Sequence, residues 1–356
     1  MPNRRQLGSV FLASIRLVLI FILLILPGFV RSDVWSVSAQ TPANAINAER
    51  ERAIELIKQK QFPAASQILK RVVDQNKTDA DAWYFLGVAL MQQVKEFKNS
   101  SKAFETALRL RPNFAPAHAG LAYSLMLREK LRESLGQASK AIDIDPTLTD
   151  AHFVKGVDLL RLGNPEEALK EANETIRLDP QLPSPYLLKS QAIISSFAIP
   201  PLLKEKPGHE ARINSYSEAA DALEKYLQLN NRSEEKEAWG DQLEALRFYV
   251  SLSGKKESER EALEASQVTT KVRILSKPEP RYTEEARQRG VIGTVILRAV
   301  FGADGSVKHI LVLKALPNGL TQKSVAAARL IKFEPATQNG RPVSMFLQLE
   351  YNFNLY

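Results

Sequence analysis

The sequence predicts an all-α solenoid of helix-turn-helix repeats followed by a small α+β domain. Three observations carry that expectation. Pro112, Pro146 and Pro180 recur 34 residues apart, each closing a segment that reads helix, short turn, helix. Within those segments apolar and small residues follow an i, i+4, i+7 stripe, which is the buried face of an amphipathic helix. Beyond about residue 272 the pattern changes to β-branched runs and then, from Val343, to a strict apolar–polar alternation with the period of a strand.

Composition narrows the function classes. A chain of 356 residues, 44% hydrophobic and 25% charged, has an ordinary globular composition and suffices for two domains or a repeat array with an appended module. The absence of cysteine removes disulfides, thiolate nucleophiles and cysteine-based metal sites, and only four histidines are present. The net charge of +8 is uneven. Residues 1–31 carry four Arg and no acid, residues 272–356 carry 12 basic against 6 acidic side chains, and the middle is slightly acidic.

The amino terminus sets the compartment. Leu17–Val30 is an uncharged apolar run of 14 residues behind Arg4, Arg5 and Arg16, and such positive flanks hold an N-terminus in the cytoplasm. The run is short of the roughly 20 residues of a spanning helix and suits a signal-peptide core, with Val37-Ser38-Ala39 before Gln40 as a cleavage site. An uncleaved anchor from about Val10 to Val30 fits as well, with Arg16 snorkelling to the edge. Residues 1–39 are thus read as a signal peptide or an N-terminal membrane anchor, and 40–45 as a linker. Both readings export the rest of the chain; a buried core helix of a cytosolic protein is the alternative that does not. Export removes nucleic acid from the expected partners and matches the basic C-terminal part to an anionic envelope surface or an acidic protein patch.

Aligning the 34-residue segments places Trp83, His118, His152 and Tyr186 in one column, at the start of each first helix. Leu86-Gly87, Leu121-Ala122 and Lys155-Gly156 form a second column, and Ala65, Ser100, Ser134, Ala168 and Ala219 a third. Small residues admit close helix approach, and each Pro ends its helix for want of an N–H. With a Trp, a Leu-Gly pair, an Ala, an aromatic and a Pro at this spacing, the segment resembles the tetratricopeptide repeat. Five units are read, roughly 46–79, 80–114, 115–148, 149–182 and 183–233. The first has Glu49 and Lys77 where others carry the aromatic and the Pro, and the fifth has an insertion from about Ala198 to Gly208. Residues 235–253 read as a capping helix, so the array spans 46–253. His118 and His152 share the column of Trp83 and Tyr186 and are read as packing residues, not metal ligands. The resemblance implies a groove for an extended peptide, lined by Tyr84, Val88, Met91, Tyr123, Met126, Phe153, Val157, Leu160, Leu187 and Ile194. That set is apolar and Met-containing, hence adaptable; packing between helices is the alternative use of the same side chains.

Residues 254–271 are charged and read as a linker. In 272–356, Thr283-Glu284-Glu285 to Gly290 reads as a short capped helix, and Val291–Phe301 with Val307–Leu313 as a hairpin turning at Asp304-Gly305. Leu320–Ile331 reads as a helix and Asn339-Gly340 as a second turn. In the last segment Val343, Met345, Leu347, Leu349, Tyr351, Phe353 and Leu355 face one way, and the intervening residues the other. This order, with Pro280-Arg281-Tyr282, Ala286, Gly290, Gly293-Thr294-Val295, Asp304-Gly305-Ser306-Val307, Phe333-Glu334-Pro335-Ala336, Asn339-Gly340 and the aromatic final strand, resembles the TonB C-terminal domain. Thr283 stands where many members have a second Pro, and Leu330 or Ile331 where many have Trp. The resemblance implies a module that takes up an extended segment of an outer-membrane transporter by strand addition, which an unpaired row of N–H and C=O groups permits. The edge is expected at 343–354, with Ser344, Phe346, Gln348, Glu350, Asn352 and Asn354 as partner-binding residues. Pairing within its own sheet, or with a second copy, is the alternative.

The two resemblances together imply a periplasm-facing coupling protein of the Gram-negative cell envelope, resembling a TonB-type energy transducer. Its partners would be an outer-membrane TonB-dependent transporter and an inner-membrane motor complex. In TonB proper the membrane helix carries a Ser and a His one turn apart, whereas no His precedes His118 here. A periplasmic tetratricopeptide adaptor or assembly scaffold without energy transduction is the alternative. No nucleophile elbow, phosphate loop or paired-carboxylate motif is present, so no catalytic residue, cofactor or metal is expected.

Overall fold

The computed structural model describes residues 42–93, 96–198, 209–230, 233–252 and 261–355. The apolar run Leu17–Val30, the cleavage site before Gln40, the insertion over 199–208 and linker residues 254–260 lie outside them. The repeat part runs through α1 (Pro42–Lys58), α2 (Phe62–Gln75), α3 (Ala80–Met91), α4 (Phe97–Leu110), α5 (Ala115–Leu127), α6 (Leu131–Ile144), α7 (Thr149–Arg161), α8 (Pro165–Leu178), α9 (Ser184–Ala198), α10 (His209–Leu229) and α11 (Ser233–Ser251). The C-terminal part follows as β1 (Arg273–Ser276), α12 (Glu284–Gln288), β2 (Gly293–Phe301), β3 (Val307–Lys314), α13 (Leu320–Arg329), β4 (Lys332–Glu334), β5 (Ala336–Gln338), β6 (Arg341–Val343) and β7 (Met345–Phe353). It is a helical repeat solenoid with a small strand-rich domain, as the sequence predicts. Two compact units divide between Val154 and Lys155, inside α7.

In the unit ending at Val154, each second helix stops the same way. Its C-cap residue, Asn76, Arg111 or Asp145, has ψ of 89°, 89° or 95°. For the latter two this is the extended conformation that a following proline imposes. The carbonyl of the next residue is then met by the aromatic column. Trp83 Nε1 donates to Lys77 O at 3.0 Å, His118 Nε2 to Pro112 O at 2.9 Å and His152 Nε2 to Pro146 O at 3.0 Å. In the other unit Tyr186 OH donates to Pro180 O at 3.1 Å. Unlike residues share a column because each offers a ring donor six residues after the same carbonyl. His152→Phe, which keeps the ring and deletes the donor, is therefore expected to lose about 1 kcal/mol in thermal unfolding. His152→Tyr should retain most of the stability, because Tyr186 makes this bond.

Phe104 of α4 is fully buried and stands between α3 and α5. A Cβ added to Gly87 would lie 2.7 Å from its ring, and one added to Gly120 2.5 Å from it. Ser100 and Ser134, both at 0% exposure, donate across the helix pairs to Gly87 O and Ala122 O at 2.8 Å. The small-residue column is thus partly a hydrogen-bonding column.

In the unit beginning at Lys155 the last repeat helices and the C-terminal domain share one core. β2, β3 and β7 form an antiparallel sheet in the order β3-β2-β7. β7 pairs with β2 without a shift, from Gly293↔Phe353 to Phe301↔Met345. One sheet face, carrying Leu297, Phe301, Leu349 and Tyr351, packs with Ala286 of α12 and Leu320 and Ala328 of α13. The other face, carrying Val300, Leu311, Leu313 and Phe346, packs with Ile193 of α9, Leu223 and Tyr226 of α10, and Leu246 and Tyr249 of α11. Ala262, in the segment read as linker, is 1% exposed within this second core. Farther along, the N–H groups of Thr269 and Thr270 both donate to Thr337 O, at 2.8 and 3.0 Å.

The turns follow their residue types. Asn339 and Gly340, with φ of 51° and 77°, link β5 to β6 in the left-handed conformations of a two-residue hairpin loop. Thr283 caps α12, its hydroxyl accepting from Ala286 N–H at 3.2 Å.

Candidate functional site

A sheet of three strands has two edges, and here they are treated differently. β3's outer edge is closed by helix side chains. Gln242 of α11 donates from Nε2 to Ile310 O at 2.9 Å and accepts at Oε1 from Val312 N–H at 2.8 Å. One amide side chain thereby reproduces a rung of a neighbouring strand. Ser195 Oγ donates to Leu313 O at 3.0 Å and Tyr249 OH to His309 O at 3.3 Å. Covering an edge with a helix keeps it from pairing with other chains.

β7 supplies the other edge. Leu263 N–H donates to Ser344 O, and Phe346 N–H donates to Leu263 O, both at 2.9 Å, a parallel bridge centred on Met345. These bonds point away from β2, and backbone groups alternate sides along an antiparallel strand. The even residues of β7 therefore present N–H and C=O outward, and the odd ones face β2. Ser344 O and Phe346 N–H are engaged by Leu263. Glu350 O accepts from Lys277 Nζ at 2.7 Å. Among the described residues nothing engages Phe346 O, both groups of Gln348, the N–H of Glu350 or the N–H of Asn352. The free seam is centred on Gln348.

The side chains of the six expected edge residues divide accordingly. Gln348, Glu350 and Asn352 are exposed; Gln348 Nε2 donates to Glu350 Oε1 at 3.2 Å, and Asn352 Oδ1 accepts from Thr294 Oγ1 at 2.6 Å. Ser344 Oγ accepts from Ala303 N–H at 3.2 Å. Asn354 lies just past the end of β7 and is exposed. Phe346 is buried at 8% exposure, its ring 5.5 Å from that of Tyr249 and 4.9 Å from the Arg298 guanidinium. Of the odd residues, Leu355 departs from the alternation, at 43% exposure.

Several residues that shape this site carry no periodic signal in the sequence: Leu263, Lys277, Gln242 and Arg298. Arg298 sits across from Gln348 in the β2–β7 register. Burial works against its charge, yet the Glu264 carboxylate that pairs with it raises its pKa above the ordinary value. At the hairpin end, hydrogen bonds from Lys308 and Ser306 hold the Asp304 carboxyl well below the usual range.

His309 stacks on Phe248 of α11 with ring centroids 3.7 Å apart and planes 3° apart. Burial, with Lys308 adding to it, lowers the imidazole pKa, while Glu244 and Glu261 act in the opposite direction. The folded state thus favours the neutral ring. Its contribution is fully present above the unfolded pKa of about 6.5 and is lost as pH falls through the lowered folded value. Between pH 7.5 and 5.5 the melting temperature of the native chain should therefore fall farther than that of His309→Phe, as thermal unfolding at the two pH values would show.

The ten expected groove residues fall in both units. Tyr84, Val88, Met91, Tyr123, Met126 and Phe153 belong to the first, each at most 9% exposed. The Tyr84 ring lies 5.0 Å from those of Phe85 and Phe114, and burial, then the charges of Asp150 and Asp81, push its phenol above the ordinary value. In the second unit Val157 and Leu160 are half-buried. Leu187 packs against the core shared with the sheet, and Ile194 lies within it. Among the described residues no group of three or more His, Asp or Glu is placed to hold a metal ion, and no helix is long and apolar enough to cross a membrane.

Residues 278–355 match the Gram-negative bacterial TonB protein C-terminal family, and residues 56–122 match a tetratricopeptide repeat family. The chain therefore carries tetratricopeptide repeats and a TonB C-terminal domain, both of them protein-interaction domains. Among solved structures it is similar to PilF of Pseudomonas aeruginosa, at 16% identity and a TM-score of 0.46, over 60% of this chain and 90% of that one. It is similar to PilW, a widely conserved type IV pilus biogenesis factor, at 16% identity and a TM-score of 0.47, over 60% and 91%. It is also similar to YrrB, a tetratricopeptide protein with an unusual peptide-binding site, at 19% identity and a TM-score of 0.39, over 55% and 94%. No curated protein sequence matches the chain significantly.

Proposed function

We propose that this protein works on the periplasmic side of the Gram-negative cell envelope, joining partner proteins by taking up an extended segment of one of them as an added strand on β7. The observation that carries this reading is the asymmetry of the sheet. Gln242, Ser195 and Tyr249 close the β3 edge, while the β7 edge keeps unengaged backbone groups around Gln348 beside exposed polar side chains. An incoming strand satisfies those groups, and its alternate side chains give specificity.

In its strongest form the reading is a TonB-type energy transducer. The added strand then comes from an outer-membrane transporter, and residues 1–39 remain as an inner-membrane anchor beside a motor complex. The absence of any His before His118 favours the weaker form, a periplasmic adaptor that joins proteins without transducing energy. N-terminal sequencing of the mature protein separates the two, because a chain beginning at Gln40 has no anchor through which to be driven.

The strand-addition reading is tested with a photo-crosslinking amino acid at Gln348 or Asn352 in living cells. The expected product is a crosslink to an envelope protein whose trapped peptide maps to a short extended segment. Crosslinks exclusively to a second copy of this chain would assign the edge to self-association.

A further inference from the structure

The segment read as linker bears on how a partner strand joins. Leu263 donates to Ser344 O and accepts from Phe346 N–H, which is a single rung of parallel pairing. The segment stops there. Glu264 N–H is held by Gln267 Oε1 at 2.6 Å, and Gln267 N–H donates back to Glu264 O at 2.9 Å, so the chain turns away from the seam after one rung. It is fixed on both sides of the turn. Ala262 is buried in the core that also contains Phe346, Glu264 pairs with Arg298, and Thr269 and Thr270 are bonded to Thr337.

We infer that Glu261–Leu263 is a built-in first rung that fixes where, and in which direction, a partner segment joins β7: parallel to it, beginning at the C=O of Phe346 and ending by Asn352. This rests on the strand-addition reading above. In parallel pairing each bonded residue donates to one residue of its neighbour and accepts from the residue two farther on. Continuing from Leu263, the next rung uses Phe346 O with Gln348 N–H, and the one after it Gln348 O with Glu350 N–H. The last uses Glu350 O, once Lys277 yields it, with Asn352 N–H. Three rungs on alternate residues set the partner's extended stretch at about five residues. An antiparallel strand exchanges both bonds with single residues, so its residue opposite Phe346 would find that N–H already committed to Leu263 and its own C=O left without a partner.

The test uses the full chain and one defined probe, the peptide acetyl-Thr-Val-Thr-Val-Thr-amide, with and without a nitroxide at its N-terminus. Backbone amides are followed by NMR and hydrogen exchange at millimolar peptide. At ten times the dissociation constant, exchange of the Gln348 and Glu350 amides should slow about elevenfold, with Phe346 unchanged. The nitroxide should broaden the Leu263 and Phe346 end of the seam. In Leu263→Pro, which lacks the N–H bound to Ser344 O and so loosens the rung whose C=O holds Phe346 N–H, the footprint should extend to Phe346. Broadening at the Asn352 end, or loss of Phe346 protection as the linker is displaced, would overturn the built-in rung while leaving strand addition intact. Binding that protects none of Gln348, Glu350 and Asn352 would sink strand addition, and this inference with it.

Discussion

Phe104→Ala is expected to cost about 3–5 kcal/mol in the unfolding of the N-terminal repeats. The ring is fully buried and touches helices on both sides of its own, where Gly87 and Gly120 leave the backbone close enough that neither site has room for a Cβ. Helix backbones cannot collapse into the space a phenyl ring vacates, so the cavity term adds to the lost transfer energy. Thermal or urea unfolding of the full chain would show the loss as a lower first transition. A change under 1 kcal/mol would mean that Phe104 does not join these helices as described. Gly120→Ala tests the same contact from the opposite side by overpacking and should cost about 1–3 kcal/mol.

Gln242→Ala should destabilise the C-terminal unit by about 2–6 kcal/mol, because it orphans two backbone groups, Ile310 C=O and Val312 N–H, at roughly 1–3 kcal/mol each. Gln242→Leu restores most of the buried volume without either bond and should recover little of that loss, which separates hydrogen bonding from packing. Gln242→Glu keeps the acceptor for Val312 but loses the donor. Opening this edge also has a consequence for solution behaviour. An exposed row of strand donors and acceptors templates pairing with other chains, so the Ala variant should self-associate at concentrations where the native chain is monodisperse by light scattering. Stability unchanged in all three variants would remove the role assigned to α11.

Much of this architecture was legible because its determinants are local. The 34-residue spacing of proline, the ring donors six residues behind each turn carbonyl, and Asn339-Gly340 at a hairpin all act within a few residues of their effect. The distant determinants were not legible. Gln242 is one polar residue on α11, and its partners lie about 70 residues away in β3. Leu263 sits in a charged stretch whose composition reads as solvated linker, yet one rung of pairing needs only its backbone. Phe346 shares the even positions of the polar residues expected to bind a partner, but the repeat helices cover that end of the sheet face and bury it. Gly120 escaped the alignment because Phe104 packs against the next repeat as well as its own, so the small residue it needs there lies outside the Leu-Gly column.

Site-resolved amide hydrogen exchange along β7 of the full-length protein, without any partner, tests the central claim most directly. The N–H groups of Leu347, Leu349 and Tyr351 face β2 and should exchange slowly, as should that of Phe346, held by Leu263. Those of Gln348, Glu350 and Asn352 should exchange rapidly. Uniformly slow exchange across residues 346–352 would show that the strand's outer groups are already satisfied within the protein, and the proposed docking seam would not exist.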